Sequence, residues 1–147
     1  MVKQTNKNVE GREIEMSDYV REKVLRIPVT AEQEKEILSK YNVGDLWDLE
    51  FEIDNFGYGD VGKFQKSPTV GSYIDYVLEY EYGSCCGDFG KSRELSEKEK
   101  EKYKHLFSNF YDGFDINKVR LVEFCWYNCC ESPDYYNITK DNFYDEI

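Results

Sequence analysis

Four carboxylates alternate with apolar residues between positions 46 and 54 of this sequence. On a β-strand, successive side chains point to opposite faces, so this alternation predicts a half-buried strand whose carboxylates form one row, spaced about 6.7 Å apart. The carboxylates are those of Asp48, Glu50, Glu52 and Asp54, and the apolar row is Trp47, Leu49, Phe51 and Ile53. A row of like charges is unfavourable for folding by itself, because the charges repel one another. The row therefore indicates either an ordinary solvated face or a surface that mimics the regular charge of nucleic acid. Carboxylates also suit Mg²⁺ or Ca²⁺, but acids in one straight row rarely converge on one ion.

A second alternating segment runs from position 73 to position 82 and predicts another strand. One predicted face carries Ile74, Tyr76, Leu78, Tyr80 and Tyr82, and the other carries Tyr73, Asp75, Val77, Glu79 and Glu81. If this strand neighbours the first, Asp75, Glu79 and Glu81 extend the acidic row into one acidic sheet face. The interleaved tyrosines would then stack on arginine side chains of a partner. Alternatively, the two rows lie apart and are ordinary solvent-exposed strand faces.

A third candidate is the aromatic and acidic stretch that follows position 125. Its proposed contact residues are Trp126, Glu131, Asp134, Tyr135 and Tyr136, and the acidic aromatic tail covers about 131–147. The stretch is interpreted either as an exposed contact patch for another protein or as a core strand that runs into a packed tail.

The cysteines raise the question of a zinc site, because thiolates are zinc ligands. The five cysteines are Cys85, Cys86, Cys125, Cys129 and Cys130. Adjacent cysteines are not a CxxC pair and point to opposite sides of an extended chain, so buried reduced thiols are favoured over metal binding. Cys85, Cys86, Cys129 and Cys130 remain the weak metal candidates.

No stretch of the chain matches a catalytic motif. His105 is the only histidine, and on a charged helix it is more typical of a surface residue than of a Cys-His nucleophile pair. Gly57, Gly59 and Gly62 are spaced as in a turn and are not followed by the Lys-Ser/Thr of a phosphate-binding loop. We therefore predict a non-enzymatic protein without a cofactor.

The composition indicates one folded, acidic domain. The chain has 147 residues, a net charge of −11 and 16% aromatic residues. That length fits a single domain over 1–147, with about 1–11 frayed at the amino end, and the aromatic content argues against disorder. The negative charge disfavours direct binding to nucleic acid or to an anionic membrane and favours basic partners. No signal peptide or membrane span is recognisable, so we expect a cytoplasmic protein with reduced cysteines, either monomeric or homodimeric.

The elements that must position these residues can be predicted from caps and periodicity. Capping boxes at Thr30 to Gln33 and at Ser96 to Glu99 predict helices over about 31–41 and from 97 to shortly before Asp112. Strands are predicted at 25–29, 46–54, 73–82 and 119–127, with a turn at 55–62 and a loop at 83–90. The strand at 119–127 is apolar on both faces and is predicted to be the most central. The order predicts an α+β fold, in which two main helices pack on one face of an antiparallel or mixed sheet of about four strands.

In size, acidity and aromatic content the chain resembles anti-defence proteins of phages and mobile elements, such as anti-CRISPR proteins and antirestriction proteins that mimic DNA. The residues that carry this resemblance are the row from Asp48 to Asp54, the row from Asp75 to Glu81 and the tail from Glu131. The resemblance implies a non-enzymatic inhibitor that occupies the nucleic-acid-binding surface of a basic protein, for example a CRISPR effector. The alternatives are an interaction domain of a mobile element that uses the aromatic tail, and a small zinc-stabilised domain or metal-dependent enzyme.

Overall fold

The structure is a computed structural model that describes residues 5–7, 13–15, 19–68, 71–82 and 89–127. Its elements are β1 (Thr5–Lys7), β2 (Glu13–Glu15), β3 (Tyr19–Pro28), α1 (Ala31–Tyr41), α2 (Leu49–Glu52), β4 (Phe64–Lys66), β5 (Tyr73–Tyr82), β6 (Phe89–Glu94), α3 (Glu97–Phe110) and β7 (Arg120–Tyr127). Short 3-10 turns cover Leu46–Asp48 and Ile116–Lys118. The α+β class and the two main helices agree with the prediction from sequence.

The main sheet has five strands in the order β4-β5-β3-β7-β6, and every pairing is antiparallel. β1 and β2 pair separately as a two-stranded ribbon. The count exceeds the predicted four because β4 and β6 were not predicted, whereas one predicted strand, at 46–54, does not form. The centre of the sheet is β3, so the prediction that 119–127 is the most central strand is wrong. Pro28 is the last residue of β3, where its missing N–H interrupts no ladder between inner strands.

The two main helices begin where their capping boxes predict. Thr30 Oγ1 accepts a hydrogen bond from the Gln33 amide at 3.1 Å, and the Thr30 amide donates to Gln33 Oε1 at 2.9 Å. Ser96 and Glu99 make the same reciprocal pair at the start of α3. Both helices pack on one face of the sheet, here called the helix face. The core there includes Ile37, Phe107 and Phe110 from the helices and Leu25, Ile27, Ile74 and Leu121 from the strands.

The other side of the sheet, here called the opposite face, carries a smaller core made of Val20, Val24, Val77, Val122 and Phe124. The loop at 57–62 reaches this core, because Tyr58 packs against it together with Tyr80. Gln65 fixes the loop: it accepts a hydrogen bond from the Gly59 amide at 2.8 Å and donates to the buried Glu22 carboxylate at 2.7 Å. Burial raises the pKa of both tyrosines above the ordinary value, and the charge of Glu22 acts in the same direction.

The predicted strand over 46–54 is wrong. The segment forms a 3-10 turn over Leu46–Asp48 followed by the single turn of α2. Asp45 begins the turn, since its side chain accepts a hydrogen bond from the Asp48 amide at 3.1 Å. Leu46 and Leu49, spaced by three as in a helix, are the buried pair. Leu and Glu favour helices more than strands, so the local preference agrees with this outcome.

The structure confirms β5 over the predicted range, but a β-bulge changes its faces. Lys23 pairs with Glu79 and the next residue, Val24, pairs with Val77, so Leu78 is an extra residue in β5. Since a bulge shifts the alternation by one residue, Asp75 and Val77 lie on the opposite face while Glu79 and Glu81 lie on the helix face. The prediction that Asp75, Glu79 and Glu81 share one face is therefore wrong.

Among the helices that the structure describes, none combines the length and the apolar character that crossing a bilayer requires.

Candidate functional site

Among the described residues, the strongest concentration of exposed carboxylates lies on residues 45–54, here called the acidic segment. Two buried side chains hold it to the core of the helix face: Leu46 is 3% exposed and Leu49 is fully buried. The Trp47 ring packs beneath the Lys66 ammonium, whose Nζ lies 5.1 Å from the ring centroid. Lys66 also donates to the Ser67 and Gly71 carbonyls, at 2.9 and 3.1 Å. The ammonium group of Lys66 is therefore engaged by the Trp47 ring and by two backbone carbonyls.

The carboxylates of the acidic segment point to solvent. Glu50, Glu52 and Asp54 are exposed, and Asp48 is half-buried. None of these four takes part in an ion pair among the side chains that the structure describes. The sequence has no Lys or Arg between Lys40 and Lys63, so no base within the segment offsets the charge. The acidic segment is therefore a short helical stretch with exposed negative charge, whereas the sequence predicted a row on a strand.

The sequence analysis also placed Phe51 incorrectly. The strand prediction pointed it into the core, yet the side chain is 80% exposed. It lies between Glu50 and Glu52 on α2. This single helical turn points Leu49 toward the core and Phe51 toward solvent. The signal that would have revealed this arrangement is the Asp45 cap followed by Leu46 and Leu49 at helical spacing.

Asp75 does not belong to an exposed acidic surface. The residue is fully buried, and its two oxygens accept hydrogen bonds from Arg26 Nε and Nη2 at 2.9 and 3.0 Å. The guanidinium carbon of Arg26 lies 4.7 Å from the centre of the Phe124 ring. Asp75 is therefore a structural partner of Arg26 and is unavailable to a protein partner.

Glu79 and Glu81 are exposed, but they lie in a patch where the charges alternate. One register level across the sheet reads Glu79 on β5, Lys23 on β3, Glu123 on β7 and Lys91 on β6. Lys23 Nζ is 3.5 Å from Glu79 Oε2, and Arg21 forms an ion pair with Glu123. The hydrogen bond from Arg21 to Glu123 is the main cause that raises the pKa of Arg21. The nearby charge of Glu81 raises it further.

A depression of about 330 Å³ is lined by Arg21, Lys23, Glu79, Glu81 and Glu123, together with Glu22 and Tyr80. The lining has four carboxylates against two bases and is net negative, but no residue of the acidic segment lines it. The two acidic rows of the sequence analysis therefore do not form one continuous surface.

The third candidate falls mostly outside the described residues. The backbone of Trp126 pairs with Val20 at the end of β7. The residues beyond the described part of the chain are Glu131, Asp134, Tyr135 and Tyr136 and the metal candidates Cys85, Cys86, Cys129 and Cys130. Cys125 is buried in β7. Within the described ranges, no three His, Cys, Asp or Glu side chains are grouped as metal ligands.

His105 is exposed on α3, as expected for a surface histidine. It lines an open depression of about 320 Å³ together with Lys104, Asp112 and Phe114. None of the described cysteines lines this depression, so the described residues offer no Cys-His nucleophile pair there.

Comparisons with protein-family profiles, with curated protein sequences and with solved structures find no match to this chain.

Proposed function

We propose that the chain is a non-enzymatic binding module that docks its acidic segment on the basic, nucleic-acid-binding surface of a partner protein. Occupation of that surface excludes the cognate RNA or DNA, as an anti-CRISPR-like inhibitor of a CRISPR effector would do. Basic surfaces that bind nucleic acid are built to neutralise several closely spaced phosphates, so a compact set of carboxylates competes for the same cations. Electrostatic attraction of this kind makes association fast and sensitive to salt.

The observation that carries the proposal is the contrast between two groups of acids. Asp75 and Glu79 form ion pairs with bases of the same chain, at 2.9 and 3.5 Å. Glu50, Glu52 and Asp54 are exposed and have no ion-pair partner among the described residues. Unpaired like charges on one short segment repel one another, and a basic partner would relieve that repulsion. The proposed surface is smaller than the one that the sequence suggested.

The test compares two variants that change the net charge equally. E50K/E52K reverses two charges of the acidic segment, and E97K/E101K reverses two exposed charges on α3. Immobilised protein captures partners from a bacterial lysate, and each captured nucleic-acid-binding protein is purified and titrated against both variants. Thermal unfolding of each variant verifies its fold.

We expect E50K/E52K to weaken binding by about tenfold or more, equivalent to about 1.4 kcal/mol. E97K/E101K should change the affinity much less. Binding of the unaltered protein should also fall steeply between about 50 and 200 mM salt. Equal affinities of the two variants, or an affinity that does not depend on salt concentration, would contradict the proposed function.

A further inference from the structure

Phe51 is the most exposed large apolar side chain among the described residues. Its 80% exposure compares with 60% for Val61 and 38% for Tyr82. An exposed phenyl ring is costly in water. On the single turn of α2, residues two apart point to nearly opposite sides, so the burial of Leu49 leaves the Phe51 ring facing solvent. Aromatic residues that stand out of a polar surface are enriched at protein interfaces.

The surroundings of Phe51 distinguish it from the other two exposed residues. Glu50 and Glu52 flank the ring in sequence, and neither has an ion-pair partner among the described side chains. Val61 instead follows Asp60, whose carboxylate lies 4.0 Å from Lys63 Nζ. Phe51 therefore combines a bare aromatic ring with unneutralised carboxylates on both sides.

Nucleic-acid-binding surfaces differ in whether they accept such a combination. Proteins that bind duplexes place cations on the phosphates and read base edges inside the grooves, and the base faces stay stacked. Proteins that bind single strands place cations along a groove and add aromatic side chains on which exposed bases stack. A ring between two carboxylates is complementary to the second type, because it meets the stacking platform and the cations together.

We propose that Phe51 takes the place of a nucleobase, and that the partner's surface is a single-strand nucleic-acid-binding groove with an aromatic or arginine stacking platform. The flanking carboxylates of Glu50 and Glu52 take the places of phosphates beside that base. This inference rests on the proposed function and specifies the class of site that the acidic segment occupies.

The first experiment uses defined competitors. The full chain is immobilised and loaded with the captured partner, which is then released with oligo(dT) or with a DNA duplex of the same length. Release at a lower concentration of oligo(dT) supports the inference. Equal or better release by the duplex overturns it.

The second experiment tests the ring itself with F51Y, F51L and F51S, with V61S as the matched control at another exposed apolar residue. F51Y keeps the aromatic face and should bind as the unaltered protein does. F51L and F51S should lose about fivefold or more in affinity, the amount expected when one stacked base is lost. V61S should leave the affinity unchanged.

The outcomes separate this inference from the proposed function. If E50K/E52K weakens binding while F51L binds normally, the basic partner stands and the nucleobase role of Phe51 is wrong. If F51L binds normally and F51S does not, Phe51 fills an ordinary apolar pocket, which also overturns the inference. If neither the charge reversal nor the Phe51 variants affect binding, both proposals fail.

Discussion

Arg26 and Asp75 form a bidentate ion pair inside the sheet, with Nε–Oδ1 and Nη2–Oδ2 distances of 2.9 and 3.0 Å. The two residues are 49 positions apart in sequence and stand opposite each other on β3 and β5. Arg26 is 5% exposed and Asp75 is fully buried. Arg26 Nη1 is also buried and has no hydrogen-bond partner among the described residues. The pair explains why an acid predicted for a binding surface lies in the interior.

Asp75→Asn should destabilise the protein by about 3–5 kcal/mol, because it leaves the Arg26 charge buried without compensation. Glu79→Gln is the control, since the Lys23–Glu79 pair is at the surface and should contribute about 0–1 kcal/mol. Urea unfolding of the three proteins measures the difference. The double variant R26M/D75L should recover most of the loss, because it removes the unpaired charge as well as the buried Nη1 donor. Equal stability of D75N and E79Q would contradict a structural role for the pair.

The Glu99 carboxylate should make stability depend on pH in the acid range. Two hydrogen bonds from Arg93, at 2.6 and 2.8 Å, and one from the Ser96 amide lower the pKa of Glu99 from 4.5 to about 2. Because the pKa of Glu99 is lower in the folded state than in the unfolded state, its charge stabilises the fold. This stabilisation is complete above the ordinary pKa of 4.5 and is lost as the pH falls through about 2.

Glu99→Gln keeps the capping box but removes the charge. The difference in unfolding free energy between the unaltered protein and E99Q should therefore be constant above about pH 5 and shrink below it. Urea unfolding at a series of pH values measures this difference. A gap that stays the same down to about pH 2 would show that the Arg93–Glu99 pair is not formed.

Truncation of Leu49 should cost much more stability than truncation of Phe51, although the two residues are only two positions apart. Leu49→Ala removes a fully buried side chain and should cost about 2–5 kcal/mol. Phe51→Ser removes a side chain that is 80% exposed and should change stability by less than about 0.5 kcal/mol. Thermal unfolding distinguishes the two results. A large loss for F51S would mean that Phe51 packs in the core, which would also remove the basis for its role in binding.

Gly59 should tolerate alanine less well than Gly62, although both adopt positive φ values, of +72° and +84°. An alanine Cβ at position 59 would lie 2.7 Å from a Tyr80 ring carbon, whereas at position 62 the nearest atom is Tyr76 Oη at 4.0 Å. Both variants incur the left-handed backbone strain of about 1–2 kcal/mol, and only G59A adds a steric clash.

Urea unfolding should therefore rank G59A below G62A in stability. In a Tyr80→Ala background, the extra cost of G59A should disappear. If G59A and G62A are equally stable, the loop at 57–62 does not pack on Tyr80 as described.

The sequence predicted both main helices because their signals are local. The capping boxes at Thr30 and Ser96 act over three residues, and the stripe of Tyr103, Leu106, Phe107 and Phe110 lies on one side of α3. The segment at 46–54 misled the prediction because its apolar residues fit two periods. Trp47, Leu49, Phe51 and Ile53 alternate as in a strand, while Leu46 and Leu49 are spaced as in a helix, and the Asp45 cap favours the helical alternative.

The sequence by itself determined how much negative charge the chain carries and where it is concentrated, including a stretch from 41 to 60 with six acids and no base. Only the tertiary structure decided which of these charges remain available. Coulomb attraction depends on distance in space, and the bases that neutralise Asp75 and Glu79 come from β3, about fifty positions earlier in the chain. The bulge at Leu78 further separates the acids of β5 onto two faces, which strict alternation cannot anticipate. The acidic segment keeps its exposed charge because the fold brings no free base to it among the described residues.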